Sequence, residues 1–166
     1  MKITLVAGIT ADGFIARHET HAADWTSKED KRHFSEVTKR IGAMIMGSTT
    51  YDTIGRPLPG RRMFVMTNRP DDYRIQGLEP LTGEAAEICA KLEKTGVKEL
   101  AVIGGGKVYG QFMAAGLVDE LILTVEPHVF GTGITLFAQA LDQKLRLISL
   151  ERLGENSAVL HYKVER

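Results

Sequence analysis

Apolar and polar positions fall into short blocks along this chain. The run Ile3-Thr4-Leu5-Val6-Ala7-Gly8-Ile9 is β-prone and closes on Thr10-Ala11-Asp12-Gly13, which reads as a buried strand and a turn. Residues 16–25 hold three charges, two histidines and a tryptophan without periodicity, and read as a loop. Thr26-Ser27-Lys28-Glu29 matches a capping box with Thr26 as the cap and Glu29 answering it, so a helix is expected to about Arg40. A strand over 43–46 runs into Gly47-Ser48-Thr49-Thr50, which opens a second helix. Arg56-Pro57-Leu58-Pro59-Gly60-Arg61 must be a loop, because its prolines and glycine disfavour regular structure. A third strand over 63–67 stops at Asn68-Arg69-Pro70. Residues 84–94 have helical spacing, with Gly96 as the stop. A fourth strand over 100–103 leads through Gly104-Gly105-Gly106 into a helix, and a fifth strand covers 120–126. Residues 146–152 and 158–164 are β-prone around Gly154-Glu155-Asn156, an antiparallel hairpin closing the sheet edge. Strands alternating with helices imply an α/β fold: a mainly parallel, twisted sheet with helices on both faces.

Composition adds limits. A length of 166 residues fits one domain over 1–166 with its own core. The formal net charge is zero, with 21 basic and 21 acidic side chains, so nothing points to nucleic acid or an anionic membrane as partner. The N-terminal apolar run is too short for a signal peptide or a membrane span. Cys89 is the one cysteine, so no intrachain disulfide forms and a reducing, cytoplasmic setting is expected. His18 and His21 have ligand-like spacing, but no further Cys or His cluster completes a site, and no metal is expected. Cys89 reads as helix core. Met44, Met46, Met63 and Met66 read as strand packing.

Two helix starts carry candidate chemistry. A strand-to-helix turn of glycines at 104–106 lets a backbone approach a ligand and points free amides at an anion such as a diphosphate. Tyr109 occupies the last glycine position of G-x-G-x-x-G, so this is not the ordinary dinucleotide fingerprint, and a tight turn is the plainer alternative. Gly47-Ser48-Thr49-Thr50 has the same chemistry, with a plain N-cap as its alternative. Two such sites after parallel strands, near one sheet edge, suit a ligand with several phosphates. Asn68-Arg69 adds a candidate cation for an adenosine phosphate. On the first helix, Asp30, Phe34, Val37 and Ile41 share one face. Asp30 therefore continues an apolar stripe and should be partly buried. A buried carboxylate needs a donor, either from the helix cap at Ser27 or from a cationic or amidine-like substrate edge.

Three segments resemble the dihydrofolate reductase family. They are Met44-Ile45-Met46-Gly47-Ser48-Thr49-Thr50-Tyr51, Ile54-Gly55-Arg56-Pro57-Leu58-Pro59-Gly60-Arg61 and Val102-Ile103-Gly104-Gly105-Gly106-Lys107-Val108-Tyr109, with Trp25 and Asp30 preceding them. The resemblance can be followed over nearly the whole chain. It implies NADPH-dependent reduction of dihydrofolate to tetrahydrofolate, with hydride passing to pterin C6 while N5 gains a proton. It implies Asp30, Trp25 and Thr124 as catalytic residues, with Asp30 on the pterin N3 and 2-amino groups and Thr124 supporting it. Val6, Ala7, Ile15, Phe34, Ile54, Leu58, Ile103 and Tyr109 would line the substrate, and Arg61 would pair with the glutamate carboxylate. Ala7, Ile15, Gly47, Ser48, Thr49, Thr50, Thr67, Asn68, Ile103, Gly104, Gly105, Gly106, Val108, Tyr109 and Gln111 would contact the cofactor, with Arg69 or Lys107 on its 2′-phosphate.

Departures accompany the match. The loop before Trp25 lacks the methionine and proline that many bacterial members place there, which bears on its closure over the nicotinamide. Ser48 stands where an arginine often grips the adenosine phosphate, and Lys31 stands at a usually apolar position. Gly116-Leu117-Val118-Asp119-Glu120 and Phe130-Gly131-Thr132-Gly133-Ile134-Thr135-Leu136-Phe137 are similar to a sister family, the reductase domain of riboflavin-biosynthesis deaminase-reductases. Its members share the fold and cofactor but reduce a ribosylamino-pyrimidine. A non-catalytic dinucleotide-binding module is the third reading. It accounts for the glycine turn but not for a carboxylate on an apolar stripe. The sequence leaves monomer and homodimer open.

Overall fold

The computed structural model describes residues 1–166. In chain order the elements are β1 (Lys2–Thr10), β2 (Phe14–Ala16), α1 (Lys28–Ile41), β3 (Ala43–Gly47), α2 (Ser48–Ile54), β4 (Arg62–Met66), β5 (Glu79–Leu81) and α3 (Ala85–Lys94). Then follow β6 (Glu99–Val102), α4 (Gly106–Ala114), β7 (Glu120–Glu126), β8 (Ile134–Thr135), β9 (Leu145–Leu153) and β10 (Ser157–Val164). Eight strands form one sheet in the order β5-β4-β3-β6-β1-β7-β10-β9. All neighbours from β5 to β7 are parallel, and β10 and β9 close the sheet as the expected antiparallel hairpin.

Strand alternation divides the core between two faces. Ile3, Leu5 and Ala7 of β1 point to one face, where Ile88, Cys89 and Leu92 of α3 and Phe112 of α4 cover them. Val6 points to the other, beneath Val37 of α1 and Tyr51 of α2. Because both faces are covered, β3 and β6 read as continuous apolar runs instead of alternating ones. Met44, Met46 and Met63 are buried packing residues, and Cys89 is a free, buried core thiol. Burial pushes that thiol up to about 11. No helix is long and apolar enough to cross a membrane.

Four expectations need correcting. The α1 cap is Ser27, not Thr26: the Ser27 hydroxyl accepts from the Asp30 amide at 3.0 Å, and Glu29 plays no capping part. Thr26 is instead buried beside the cleft. The two phosphate-type helix starts follow β3 and β6, which are inner neighbours of the sheet, not an edge pair. Neither Ser48 nor Thr49 caps α2, whose N-cap is Gly47 with no side-chain hydrogen bond. Three short strands lie where the sequence pattern predicts no strand. β5 adds a parallel edge beside β4, and β2 pairs with β8 in a separate two-stranded ribbon.

Phe112 is 0 % exposed and joins α4 to the sheet. Replacing it, Phe112→Ala, should cost about 3–5 kcal/mol in urea unfolding, the usual range for a deleted core aromatic.

Candidate active site

Ligands of open α/β sheets bind beyond the carboxyl ends of the strands. A cleft of about 1310 Å³ opens there, above β1, β3, β4 and β6 and against the first turns of α1. Single small-molecule pockets run to about 300–1,000 Å³, so this cleft has room for two ligands side by side.

Asp30 forms one wall. It is 8 % exposed, and its carboxylate packs on β1 where Gly8 interrupts the apolar run. A Cβ at Gly8 would sit 3.2 Å from Asp30 Oδ2 and 3.4 Å from the Thr26 methyl, so a bare backbone is what admits the acid. Burial raises the Asp30 pKa above the ordinary aspartate value. The Thr124 and Thr26 hydroxyls oppose that rise, the Glu126 charge adds to it, and His33 works against it. No cation forms an ion pair with it among the contacts of the chain. An acid so placed is suited to a neutral or cationic donor edge of a ligand.

Opposite Asp30 lies the glycine turn. α4 starts at Gly106 behind the cap Gly105, and α2 starts at Ser48 behind the cap Gly47; neither start has a side-chain cap. Parallel pairing of β3 with β6 places the two turns together, and the Gly47 amide donates to the Gly104 carbonyl at 2.9 Å. A Cβ at Gly106 would meet the Thr135 carbonyl oxygen at 2.8 Å, so the segment carrying β8 closes tightly over the turn. Free helix-start amides on α4, with the hydroxyls of Ser48, Thr49 and Thr50 alongside, fit an anionic diphosphate. Tyr109 is 3 % exposed, and its hydroxyl donates to the Val6 carbonyl at 2.7 Å, which ties α4 to β1 between the two walls. Burial, with the Asp30 charge beside it, pushes its pKa far up, so it stays a hydrogen-bond donor.

At the far end of α1, Arg61 lines the cleft. Its Nε donates to the Pro59 carbonyl at 3.1 Å, and its Nη1 donates to the Ser35 carbonyl at 3.4 Å and to the Thr38 hydroxyl. No carboxylate of the chain pairs with it, and Nη2 makes no internal hydrogen bond. The preceding loop is tied down by the Leu58 amide, 2.8 Å from the Met63 sulfur. Trp25 closes another side, edge-on to Phe130 at 5.0 Å and to His128 at 5.7 Å between centroids. Its Nε1 is buried without a partner in the chain, as is His33 Nε2.

With one exception, the residues expected from the sequence line this single cleft. Asp30, Trp25, Thr124, Val6, Ala7, Ile15, Phe34, Ile54, Leu58, Arg61, Ile103 and Tyr109 do so. So do Gly47, Ser48, Thr49, Thr50, Thr67, Asn68, Gly104, Gly105, Gly106, Lys107, Val108 and Gln111. Arg69 does not: it turns outward to Asp72, 3.4 Å away, because the 3-10 turn Pro70–Tyr73 redirects the chain after β4. Gly8, Thr26 and His33 line the cleft without having been singled out for it, and Lys31 lines it at the position where the family usually has an apolar residue. Gly8 had a signal, a lone glycine inside a buried strand. His18 and His21 also line the cleft, and the chain holds no group of three or more candidate metal-ligating side chains.

A raised Asp30 pKa means that the folded protein binds this proton more tightly than the unfolded chain. Stability therefore falls as pH rises from the ordinary aspartate value through the folded value, and the loss persists above it. Asp30→Asn should accordingly melt at a higher temperature than the parent at pH 7, with the difference shrinking to nothing below about pH 3. Thermal melts across that range check it; a lower melting temperature at pH 7 would mean that the hydroxyls outweigh burial.

The site can now be set beside known proteins. Residues 2–164 match the dihydrofolate reductase family. A dihydrofolate reductase of Neisseria meningitidis serogroup A is 33% identical, the alignment covering 98% of each chain. A dihydrofolate reductase from Enterococcus faecalis complexed with NADP(H) superposes with a TM-score of 0.74 at 22% identity, over 99% of this chain and 97% of that one. A pyrimidine reductase-like protein from Corynebacterium diphtheriae superposes with a TM-score of 0.80 at 17% identity, over 99% and 92%. The structural likenesses establish the shared fold, and the sequence match establishes the lineage: the chain belongs to the dihydrofolate reductase family.

Proposed function

We propose that the chain reduces dihydrofolate with NADPH. The observation that carries this reading is Asp30, a buried acid without a cationic partner on the cleft wall facing the glycine turn. Its carboxylate is suited to hold the N3 and 2-amino groups of a pterin, and its raised pKa favours keeping a proton near the ring. Thr124 steadies it from β7. Phe34, Ile54 and Leu58 offer apolar surface for the aminobenzoyl group, and Arg61 offers a fixed cation for the glutamate carboxylate. When bound, NADPH supplies the hydride; this chain supplies alignment and charge. The turn at 104–106 would hold the diphosphate, and Lys107, not Arg69, is the cation available along that wall.

A ribosylamino-pyrimidine is the second reading. Lys31 and Arg56 join Arg61 in lining the cleft, and a ribose phosphate carries more negative charge than one carboxylate. The single, buried Cys89 fits a reducing, cytoplasmic setting for either substrate.

The test is NADPH oxidation by the purified chain with dihydrofolate, followed by absorbance, for the parent and for Asp30→Asn. The parent should turn over, and the variant should lose about 100-fold to 10,000-fold in kcat/KM with its NADPH affinity retained. Turnover of the ribosylamino-pyrimidine alone would assign the second reading. NADPH binding without turnover of either substrate would make the chain a binding module.

A further inference from the structure

The first turn of α1 divides its hydrogen bonds in an uncommon way. An acid at the third helical position ordinarily reaches back to the amide of the capping residue and closes a reciprocal pair. Here that acid is Asp30 and the cap is Ser27. The Ser27 amide goes elsewhere: it donates to Glu126 Oε2 at 3.0 Å, and the Ser27 hydroxyl donates to Glu126 Oε1 at 2.9 Å. Glu126 lies 99 residues away at the end of β7 and is 2 % exposed. Both its oxygens are occupied, which offsets the cost of burying it.

The same strand holds Asp30 itself. Thr124 and Glu126 are two apart on β7, so their side chains share a face. Thr124 pairs with Gly8 and Glu126 with Thr10 on β1. One strand face thus sets the Thr124 hydroxyl beside the Asp30 carboxylate and bonds the Asp30 helix cap through Glu126. Thr124 lines the cleft and Glu126 does not.

We propose that Glu126 is a positioning residue: by taking the Ser27 amide and hydroxyl, it keeps the Asp30 carboxylate off its own helix cap and available to the substrate. Without it, the acceptor that the capping pattern offers the Ser27 amide is Asp30, in the reciprocal pair that this sequence position otherwise favours. The charged and titratable groups acting on Asp30 are Glu126 from β7, His33 from α1 and Tyr109 from α4, beside the hydroxyls of Thr26 and Thr124. Losing the Glu126 charge and gaining the Ser27 amide both move the Asp30 titration down.

The inference rests on Asp30 meeting the substrate, and one arm of its test needs no substrate. In Glu126→Gln, a single acceptor oxygen replaces two. The Asp30 carboxyl, followed by NMR in 13C-aspartate-labelled protein, should titrate at lower pH than in the parent. KM for dihydrofolate should rise about 3- to 10-fold, the range for one lost hydrogen bond, with kcat changing less and NADPH affinity unchanged. In the Glu126→Gln and Ser27→Ala cycle the two effects should not add, since both act through one contact. A folded Glu126→Gln protein with the parental Asp30 titration, or additive effects in the cycle, overturns the proposal. Should Glu126→Gln fail to fold, Ser27→Ala alone must raise KM with NADPH affinity intact, and a parental KM overturns it. A parent inactive on dihydrofolate would refute the proposed substrate, while the Asp30 titration would still decide the role of Glu126.

Discussion

A carboxyl group taken out of water has to be met by donors, and the cleft is arranged around that requirement at Asp30. Three separate pieces of chain answer it. Gly8 leaves room on β1, Thr124 reaches in from β7, and Thr26 stands just ahead of the helix that carries the acid. None of these residues holds Asp30 without the parallel pairing of β1 with β7, which sets Gly8 opposite Thr124. A shift of one residue in that register would turn Thr124 to the other face of the sheet and remove the hydroxyl from the acid. The central strand pairing and the chemistry at Asp30 are in this sense one constraint.

The opposite wall follows from a second pairing. β3 and β6 are far apart in sequence but adjacent in the sheet, so the starts of α2 and α4 face the same space. Tyr109 links the walls through the Val6 carbonyl, and the β8 segment presses on Gly106 from outside. A ligand seated on the glycine turn and one seated on Asp30 are therefore held by the same few strands, with little loop between them. Rigid placement of two reactants is what an alignment-driven reaction requires.

Much of this was legible in the residues because the signals were local. Strand and helix blocks, the two glycine-containing helix starts, the apolar stripe of α1 with Asp30 at its head and the terminal hairpin all appear at the expected places. What was not legible depended on distant partners or on competing local options. Thr26 and Ser27 are adjacent capping candidates, and only Glu126, 99 residues on, decides for Ser27. β2, β5 and β8 have two or three residues each, too few for a periodicity to show, and Pro80 inside β5 argues against a strand unless it lies on an edge, as it does. Arg69 had the right charge beside the right strand end, but Asp72 lies three residues on and the chain turns there.

The loop before Trp25 shows how a departure from a family pattern is absorbed. In place of the methionine and proline, the Arg17 guanidinium sits 4.1 Å from the centroid of the Phe130 ring, and Trp25 meets that ring edge-on. Phe130 is itself held by Asp12, whose carboxylate accepts the Thr10 hydroxyl at 2.6 Å and the amides of Phe130 and Gly131. Those bonds hold the Asp12 carboxyl below the usual aspartate range, so this anchor stays ionised where Asp30 can take up a proton. Asp12 and Asp30 differ little as residues. One is wrapped in donors at the surface and the other is buried with few, and that contrast makes the first a fixed anchor for the Trp25 side of the cleft and leaves the second able to hold a proton.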